Sequence, residues 1–165
     1  MKLCSYLGGN LMKQSSEFLR EELIFTNIKV KNKDEAIRKM AESLYKKGFV
    51  KESYINAVLE REKIFPTGLP TEGVGVAIPH TDAIHVNRGI MSIGILQNPI
   101  SFKIMGNPEN NVDVSIIFMM ALEEPESQIE MLQKLMKLLQ DKDLLLKVKQ
   151  LQNPKEIKKV FSDLL

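Results

Sequence analysis

The chain has 165 residues, a length typical of one compact domain, and 44% of them are hydrophobic while 27% are charged. This composition is typical of a soluble globular protein and excludes collagen-like, low-complexity and wholly disordered chains. The net charge of +2 is too small to favour nucleic acid or a membrane surface. The single cysteine, Cys4, excludes an intrachain disulfide and a cysteine zinc cluster, and fits a reducing cytoplasm.

The first 17 residues carry no clear structural pattern. Their apolar part is interrupted by Gly8, Gly9 and Asn10, and no small-residue cleavage site follows, which argues against a signal peptide. We expect residues 1–17 to form a loosely ordered tail and residues 18–165 to fold as a single domain. The longest strongly apolar run, 114–122, falls well short of the roughly 20 residues that span a bilayer, so no membrane insertion is expected.

Two helices are predicted in the first half of the chain. Segment 33–47 places apolar side chains on one helical face, at Ile37, Met40, Ala41 and Leu44. Asn32 and Glu35 have the spacing of a capping box at its start. Segment 52–65 is predicted as a second helix that ends before a proline. Its inward stripe is formed by Tyr54, Val58, Arg61 and Phe65, so a permanent positive charge lies among inward-facing residues.

One strand candidate precedes these helices, at 24–30, and three follow them, at 73–78, 90–96 and 112–121. In the second of them bulky Val74, Val76 and Ile78 alternate with small residues, which leaves one face nearly bare, and Pro79 then ends the strand. The fourth is apolar on both alternating sets, a pattern typical of a central strand covered on both faces.

The last third of the chain is predicted to be helical. A helix from about Glu126 has a predicted core stripe at Ile129, Leu132, Met136 and Leu139, and two more helices are predicted over 141–151 and 154–164. Helices before, between and after strands indicate a layered α/β domain.

Both histidines lie just after the strand at 73–78, His80 directly behind Pro79 and His85 five residues later. Strand ends are where α/β sheets display functional groups, and a neutral imidazole is a competent nucleophile. A turn histidine with no chemical role is the alternative. Three features support a functional His80: the bare strand face, the preceding proline and the inward Arg61. Both interpretations of His80, functional and structural, therefore stay open at this point.

Three chemistries compete for this segment. His80, Asp82 and His85 have the residue types of a zinc site, but not an established ligand spacing. A hydrolytic triad lacks the G-x-S-x-G nucleophile motif. A phosphoryl acceptor at His80 requires a non-nucleotide donor, such as another protein, because the chain contains no P-loop or nucleotide fingerprint. The Arg61 guanidinium would then suit the phosphate oxygens.

The run 73–81, Gly-Val-Gly-Val-Ala-Ile-Pro-His-Thr, resembles the active-site signature of the fructose/mannitol-type enzyme IIA of the bacterial phosphoenolpyruvate-dependent sugar phosphotransferase system. Upstream, Glu60-Arg61-Glu62 followed by Thr67-Gly68 resembles that family's arginine-bearing helix and its following loop. Segments 99–102 and 112–118 resemble the next parts of the family, and the similarity covers about residues 18–163. Thr81-Asp82, His85 and Gln128 look most like the galactitol-type subgroup.

The resemblance implies a three-layer α/β/α sandwich, with a mixed sheet of about five strands flanked by helices on both faces. It implies that the phosphocarrier protein HPr phosphorylates His80, which passes the group to an enzyme IIB, in a system that includes an enzyme IIC permease. Arg61 would neutralise the phosphoryl oxygens, and the further binding residues would be Thr67, Gly68, Thr81 and His85. No cofactor, metal or nucleic acid is implied, and the location is cytoplasmic.

Gln128 occupies the position at which many members of that family carry a second histidine. We expect it within hydrogen-bond reach of the phosphorylation site, and less than about 8 Å from His80. An apolar rim around an exposed His80 is also expected, formed or supported by Phe65, Leu69, Ile78 and Ile84.

Two other functions remain open within the resemblance. One is a regulatory, nitrogen-type enzyme IIA that controls partner proteins through its phosphorylation state. The other is a detached regulatory domain of a transcription activator, which the absence of a helix-turn-helix or basic domain disfavours. The resemblance also implies that this domain handles the phosphoryl group, while the membrane partner recognises the sugar.

Overall fold

A computed structural model of the chain describes residues 18–164, so the tail expected at residues 1–17 lies outside the described residues. Within that range the five strands are β1 Leu19–Ile28, β2 Gly68–Pro70, β3 Gly75–Ala77, β4 Ile90–Ile104 and β5 Asn107–Ala121. The five α-helices are α1 Lys33–Lys46, α2 Ser53–Ile64, α3 Pro125–Leu138, α4 Lys142–Gln150 and α5 Pro154–Ser162. No helix of the described residues is long and apolar enough to cross a bilayer.

The five strands form one mixed sheet around a long β4–β5 hairpin. The hairpin turns at Gly106, whose φ of 75° lies in the left-handed region that glycine enters without steric cost. β1 runs parallel to β4, β3 runs parallel to β5, and β2 is antiparallel to β3. β2 also meets β4 where Gly68 pairs with Ile104.

The sheet separates two hydrophobic cores, because successive side chains of a strand point to opposite faces. In β5, Ile117 and Met119 face the core that α1 and α2 cover, whereas Ile116 and Phe118 face the core that α3, α4 and α5 cover. These helices on both faces of a mixed sheet confirm the predicted three-layer α/β/α sandwich.

The predicted core stripe of α3 is wrong in two places. Ile129 is 61% exposed and Met136 is 38% exposed. The inward face instead carries half-buried Gln128 and Leu132, followed by buried Leu135 and Leu139. These positions are spaced i, i+4, i+7 and i+11, which is one continuous helical face, and Ile129 is rotated about 100° from it. The helix therefore turns a polar side chain inward and an isoleucine outward at its first turn.

Phe65 also departs from its predicted place on the inward stripe of α2. It is 59% exposed, although Tyr54 and Val58 of the same stripe are buried. The helix ends at Ile64, and the backbone at Phe65 leaves the helical conformation, so its side chain no longer follows the helical repeat.

Candidate functional site

The candidate site lies where β3 and β5 end. Because these strands are parallel, their carboxyl ends meet at one edge of the sheet. The chain after β3 is fixed there on both sides: Ile78 N–H donates to Thr67, and Pro79 O accepts from Met120 N–H at 3.0 Å. His80 follows directly, so its backbone is positioned by two neighbouring segments.

The His80 ring has one committed nitrogen and one available nitrogen. Its Nδ1 lies 2.8 Å from Ile78 O, and because a carbonyl only accepts, Nδ1–H is the donor. Nε2 therefore keeps its lone pair. Burial lowers the pKa of His80; the Ile78 hydrogen bond opposes this, the positive charge of Arg61 lowers the pKa further, and Asp82 raises it. The ring is consequently neutral near pH 7.

Arg61 supplies an uncommitted guanidinium to this site. Its Nε is buried and has no hydrogen-bond partner within residues 18–164, and its Cζ lies 4.8 Å from the centre of the Phe65 ring. The two flanking carboxylates bind elsewhere: Glu60 pairs with Lys63 at 2.7 Å, and Glu62 binds Thr67. The positive charge beside His80 thus remains available to an incoming anion.

Glu62 and Thr67 form a buried pair that the sequence analysis did not identify as such. The Glu62 side chain is only 3% exposed, and it accepts Thr67 N–H at 3.0 Å and Thr67 Oγ–H at 2.7 Å. Burial raises the pKa of Glu62, while the two Thr67 hydrogen bonds act to lower it. A signal was present in the sequence, because Glu62 follows the inward-facing Tyr54 and Val58 at helical spacing.

Thr67 and Gly68, expected as binding residues, have internal contacts in the structure. Thr67 is buried against Glu62 and Ile78. At Gly68 a Cβ atom would lie 2.5 Å from Lys103 O, so the close approach of β4 accounts for the glycine.

Gln128 contacts the backbone of the residue that follows His80. Its Nε2 donates to Thr81 O at 3.4 Å and to Leu122 O at 3.5 Å, both long hydrogen bonds. Thr81 itself is buried. The first turn of α3 is thereby joined to the His80 loop and to the end of β5.

His85 lies in a 3₁₀ turn, Ala83–His85, and faces away into other contacts. Its Nδ1 lies 2.8 Å from Ser53 Oγ, and its carbonyl accepts from Lys51 N–H. Ser53 begins α2, about 12 Å along the helix axis from Arg61. Among the described residues, no three His, Cys, Asp or Glu side chains are grouped as a metal site, so His80, Asp82 and His85 do not form the ligand set considered above.

Part of the expected apolar rim is exposed. Phe65 and Ile84 are 59% and 70% exposed, and the adjacent Ile64 is 68% exposed. Ile78, in contrast, is fully buried and supports the loop from below, and Leu69 is half-buried.

The fold is that of a phosphotransferase-system EIIA domain. Residues 17–164 match the family described as "Phosphoenolpyruvate-dependent sugar phosphotransferase system, EIIA 2". The chain belongs to this family, whose members are phosphocarrier components of that system.

Named relatives include two EIIA components. The galactitol-specific EIIA component of Escherichia coli (strain K12) is 28% identical over 127 residues, which cover 77% of this chain and 81% of the relative. The mannitol-specific phosphotransferase enzyme IIA component of Staphylococcus aureus (strain Mu50) is 29% identical over 149 residues, or 90% of this chain and 97% of the relative. The solution structure of Escherichia coli enzyme IIA-mannitol in complex with phosphorylated enzyme IIB-mannitol has the same fold, with a TM-score of 0.73 at 22% identity over 88% of this chain and 99% of that one.

Proposed function

We propose that this chain carries a phosphoryl group from phosphorylated HPr to an enzyme IIB during sugar uptake, with His80 as the acceptor. One observation carries the proposal: His80 keeps the lone pair of Nε2 on a neutral ring, beside an arginine whose Nε has no hydrogen-bond partner among residues 18–164. Membership of the EIIA family supports it.

The transfer needs no cofactor and no general base. The Nε2 lone pair attacks the phosphorus of the donor phosphohistidine; an Nε2–P bond forms while the donor's P–N bond breaks, and its electron pair returns to the donor nitrogen. The Nδ1 proton stays in its hydrogen bond to Ile78 O, which stabilises the positive charge that the ring gains. Passing the group to enzyme IIB repeats the same step with His80 as the donor.

Charge stabilisation falls to Arg61, because phosphoryl transfer depends on alignment and electrostatics more than on covalent activation. Gln128 is uncharged, and it binds the loop backbone through its amide nitrogen. Its proposed contribution is a hydrogen bond at the site. The exposed Phe65 and Ile84 support a protein as donor and acceptor, since a protein surface can cover apolar side chains.

The relatives favour transport over the regulatory, nitrogen-type alternative. Two of them are named for galactitol and mannitol, both six-carbon sugar alcohols, so we propose an enzyme IIB of such a system as the acceptor. We place this exchange in the cytoplasm, and we assign it to residues 18–165 as one EIIA domain.

The test is phosphorylation followed by transfer. The chain is incubated with phosphoenolpyruvate, enzyme I and HPr, and its intact mass is measured. We expect one added phosphoryl group in the native chain and in His85→Ala, and none in His80→Ala. A normal phosphorylated mass for His80→Ala would overturn the assignment.

The phosphorylated chain is then mixed with galactitol-type or mannitol-type enzyme IIB. Transfer of the phosphoryl group to either one supports the transport role. Phosphorylation of His80 with transfer to neither would favour the regulatory alternative.

A further inference from the structure

The buried carboxylate of Glu62 has no part in the transfer chemistry proposed above. It lies in the last turn of α2, next to Arg61, and within the described chain no lysine or arginine forms a salt bridge with it. A buried carboxylate is costly unless hydrogen bonds satisfy it, and both of its oxygens are satisfied by Thr67 alone. Thr67 in turn connects Glu62 to the segment that carries His80.

A chain of hydrogen bonds runs from Glu62 to the ring of His80. The Thr67 hydroxyl donates a hydrogen bond to Glu62, so the lone pairs of Thr67 Oγ1 remain able to accept. The N–H of Ile78 is shared between Thr67 Oγ1, at 3.2 Å, and the Thr67 carbonyl oxygen, at 3.3 Å. Ile78 O in turn accepts His80 Nδ1–H at 2.8 Å. The Ile78 carbonyl sets the His80 tautomer because it can only accept, and Glu62 and Thr67 hold in place the Ile78 peptide N–H that precedes this carbonyl.

We infer that Glu62 is a positioning residue, which through Thr67 and Ile78 holds His80 in the Nδ1–H tautomer with Nε2 available for transfer. This inference rests on the proposed role of His80 as acceptor. Glu62 thus acts on His80 without touching the phosphoryl group.

Four variants of the full chain separate positioning from general stability. Glu62→Gln replaces one accepting oxygen by a donor, and Thr67→Val removes the hydroxyl at nearly constant shape. Thr67→Ser retains the hydroxyl. Glu60→Gln is the matched control, because Glu60 is an exposed glutamate in the same turn and pairs with Lys63.

Two measurements are made on each variant: the ¹⁵N chemical shifts of the His80 ring, which report the tautomer, and the rate of phosphoryl gain from phosphorylated HPr. In the native chain and Glu60→Gln we expect the Nδ1–H tautomer and an unchanged rate, and in Thr67→Ser, which retains the hydroxyl, we expect the Nδ1–H tautomer. In Glu62→Gln and Thr67→Val we expect a mixture of tautomers and a rate about tenfold lower, because a poorly oriented nucleophile reacts more slowly. The ring of His85 is the internal reference.

The inference is overturned if Glu62→Gln and Thr67→Val are folded and keep the native tautomer, whether or not transfer is slower. If Glu62→Gln does not fold, the comparison of Thr67→Val with Thr67→Ser decides. The tautomer measurement needs no HPr. A native chain that accepts no phosphoryl group, yet shows a tautomer that depends on Glu62, would therefore overturn the proposed function and leave the positioning role intact.

Discussion

His80 is held by contacts that divide into two kinds, those that fix its ring and those that supply charge. Ile78 O fixes the ring through Nδ1, while Arg61 and Asp82 act on it through their charges. The division matters for the proposed transfer, because a nucleophile needs a free lone pair, whereas a phosphoryl group needs positive charge.

The lowered pKa of His80 predicts the pH dependence of phosphorylation. Only the neutral ring has a lone pair on Nε2, so the rate should fall as the pH decreases through the folded-state pKa, which lies below the ordinary value of about 6.5. Initial rates from phosphorylated HPr between about pH 5 and 8, with an NMR titration of His80, measure this. An apparent pKa for His80 at or above about 6.5 would contradict the prediction.

Stability should depend on the same group. A His80 pKa that is lower in the folded chain than in the unfolded chain contributes stability above pH of about 6.5, and this contribution is lost as the pH falls through the lower folded value. Denaturant unfolding at several pH values should show a smaller decline in His80→Gln than in the native chain. Equal declines would show that other groups control acid stability.

Arg61 should affect the transfer rate far more than the fold. Loss of an arginine that stabilises transition-state charge commonly costs roughly a hundredfold in rate, so we expect about this decrease in Arg61→Ala. Arg61→Lys should recover part of the rate, because lysine keeps the charge but loses the paired donors. Stopped-flow or quenched-flow kinetics under single-turnover conditions measure the transfer rate, and thermal unfolding shows whether each variant is folded. A native rate in Arg61→Ala would leave Arg61 a structural residue.

At the scale of elements, the bare face of β3 is explained by the close approach of its neighbours. A Cβ atom on Gly75 would collide with the carbonyl of Asp113 on the paired strand, and backbone cannot yield as a flexible side chain can. The small residues in the β3 sequence are therefore needed because β3 lies so close to β5. That pairing holds the loop carrying His80.

We expect Gly75→Ala to destabilise the chain by about 1–3 kcal/mol, the usual cost of overpacking. Gly89→Ala is the control, since the nearest atom to its Cβ is a side-chain ring carbon of Phe18 at 3.3 Å, and the nearest backbone atom is 3.8 Å away. Guanidinium unfolding of both variants provides the comparison. Equal stability of Gly75→Ala and the native chain would show that β3 moves away from β5 without cost.

Helices and long strands could be predicted from the sequence because their hydrophobic periodicity extends over many residues. The predicted helices at 33–47 and 52–65 differ from α1 and α2 by one residue at most at each end. The three-residue strand β2 was not predicted, since so short a segment has no periodicity, and β4 continues past Pro99, where a strand end is commonly expected. The first turn of α3 was misassigned at Ile129, because hydrophobicity alone placed this exposed side chain in the core stripe.

For the candidate site, the residues could be predicted from the sequence, whereas the hydrogen bonds between them are seen only in the structure. His80, Arg61 and Gln128 were identified from motifs, whereas the Nδ1–H tautomer and the Glu62–Thr67 pair depend on tertiary contacts. Such contacts join segments that no local pattern connects.

At the scale of the whole molecule, the site lies at one edge of the sheet, where Phe65 and Ile84 are exposed. The ends of β3, β5 and α2 and the start of α3 converge there. Two imidazoles can meet in line only if the acceptor is reachable by another protein, so an edge with exposed apolar side chains suits a carrier.

Ile84 provides a test of this edge as an association surface. It is 70% exposed, and its backbone is held by Lys51 Nζ, so its side chain can change without disturbing the loop. Burying an isoleucine against a partner contributes about 1.5–3 kcal/mol, so Ile84→Ser should raise the KM for phosphorylated HPr at least about tenfold while kcat stays unchanged. The control is Met105→Ser, at the tip of the β4–β5 hairpin, which should leave both constants unchanged. A fall in kcat at constant KM would mean that Ile84 acts on the transfer step, and unchanged constants would exclude it from the association surface.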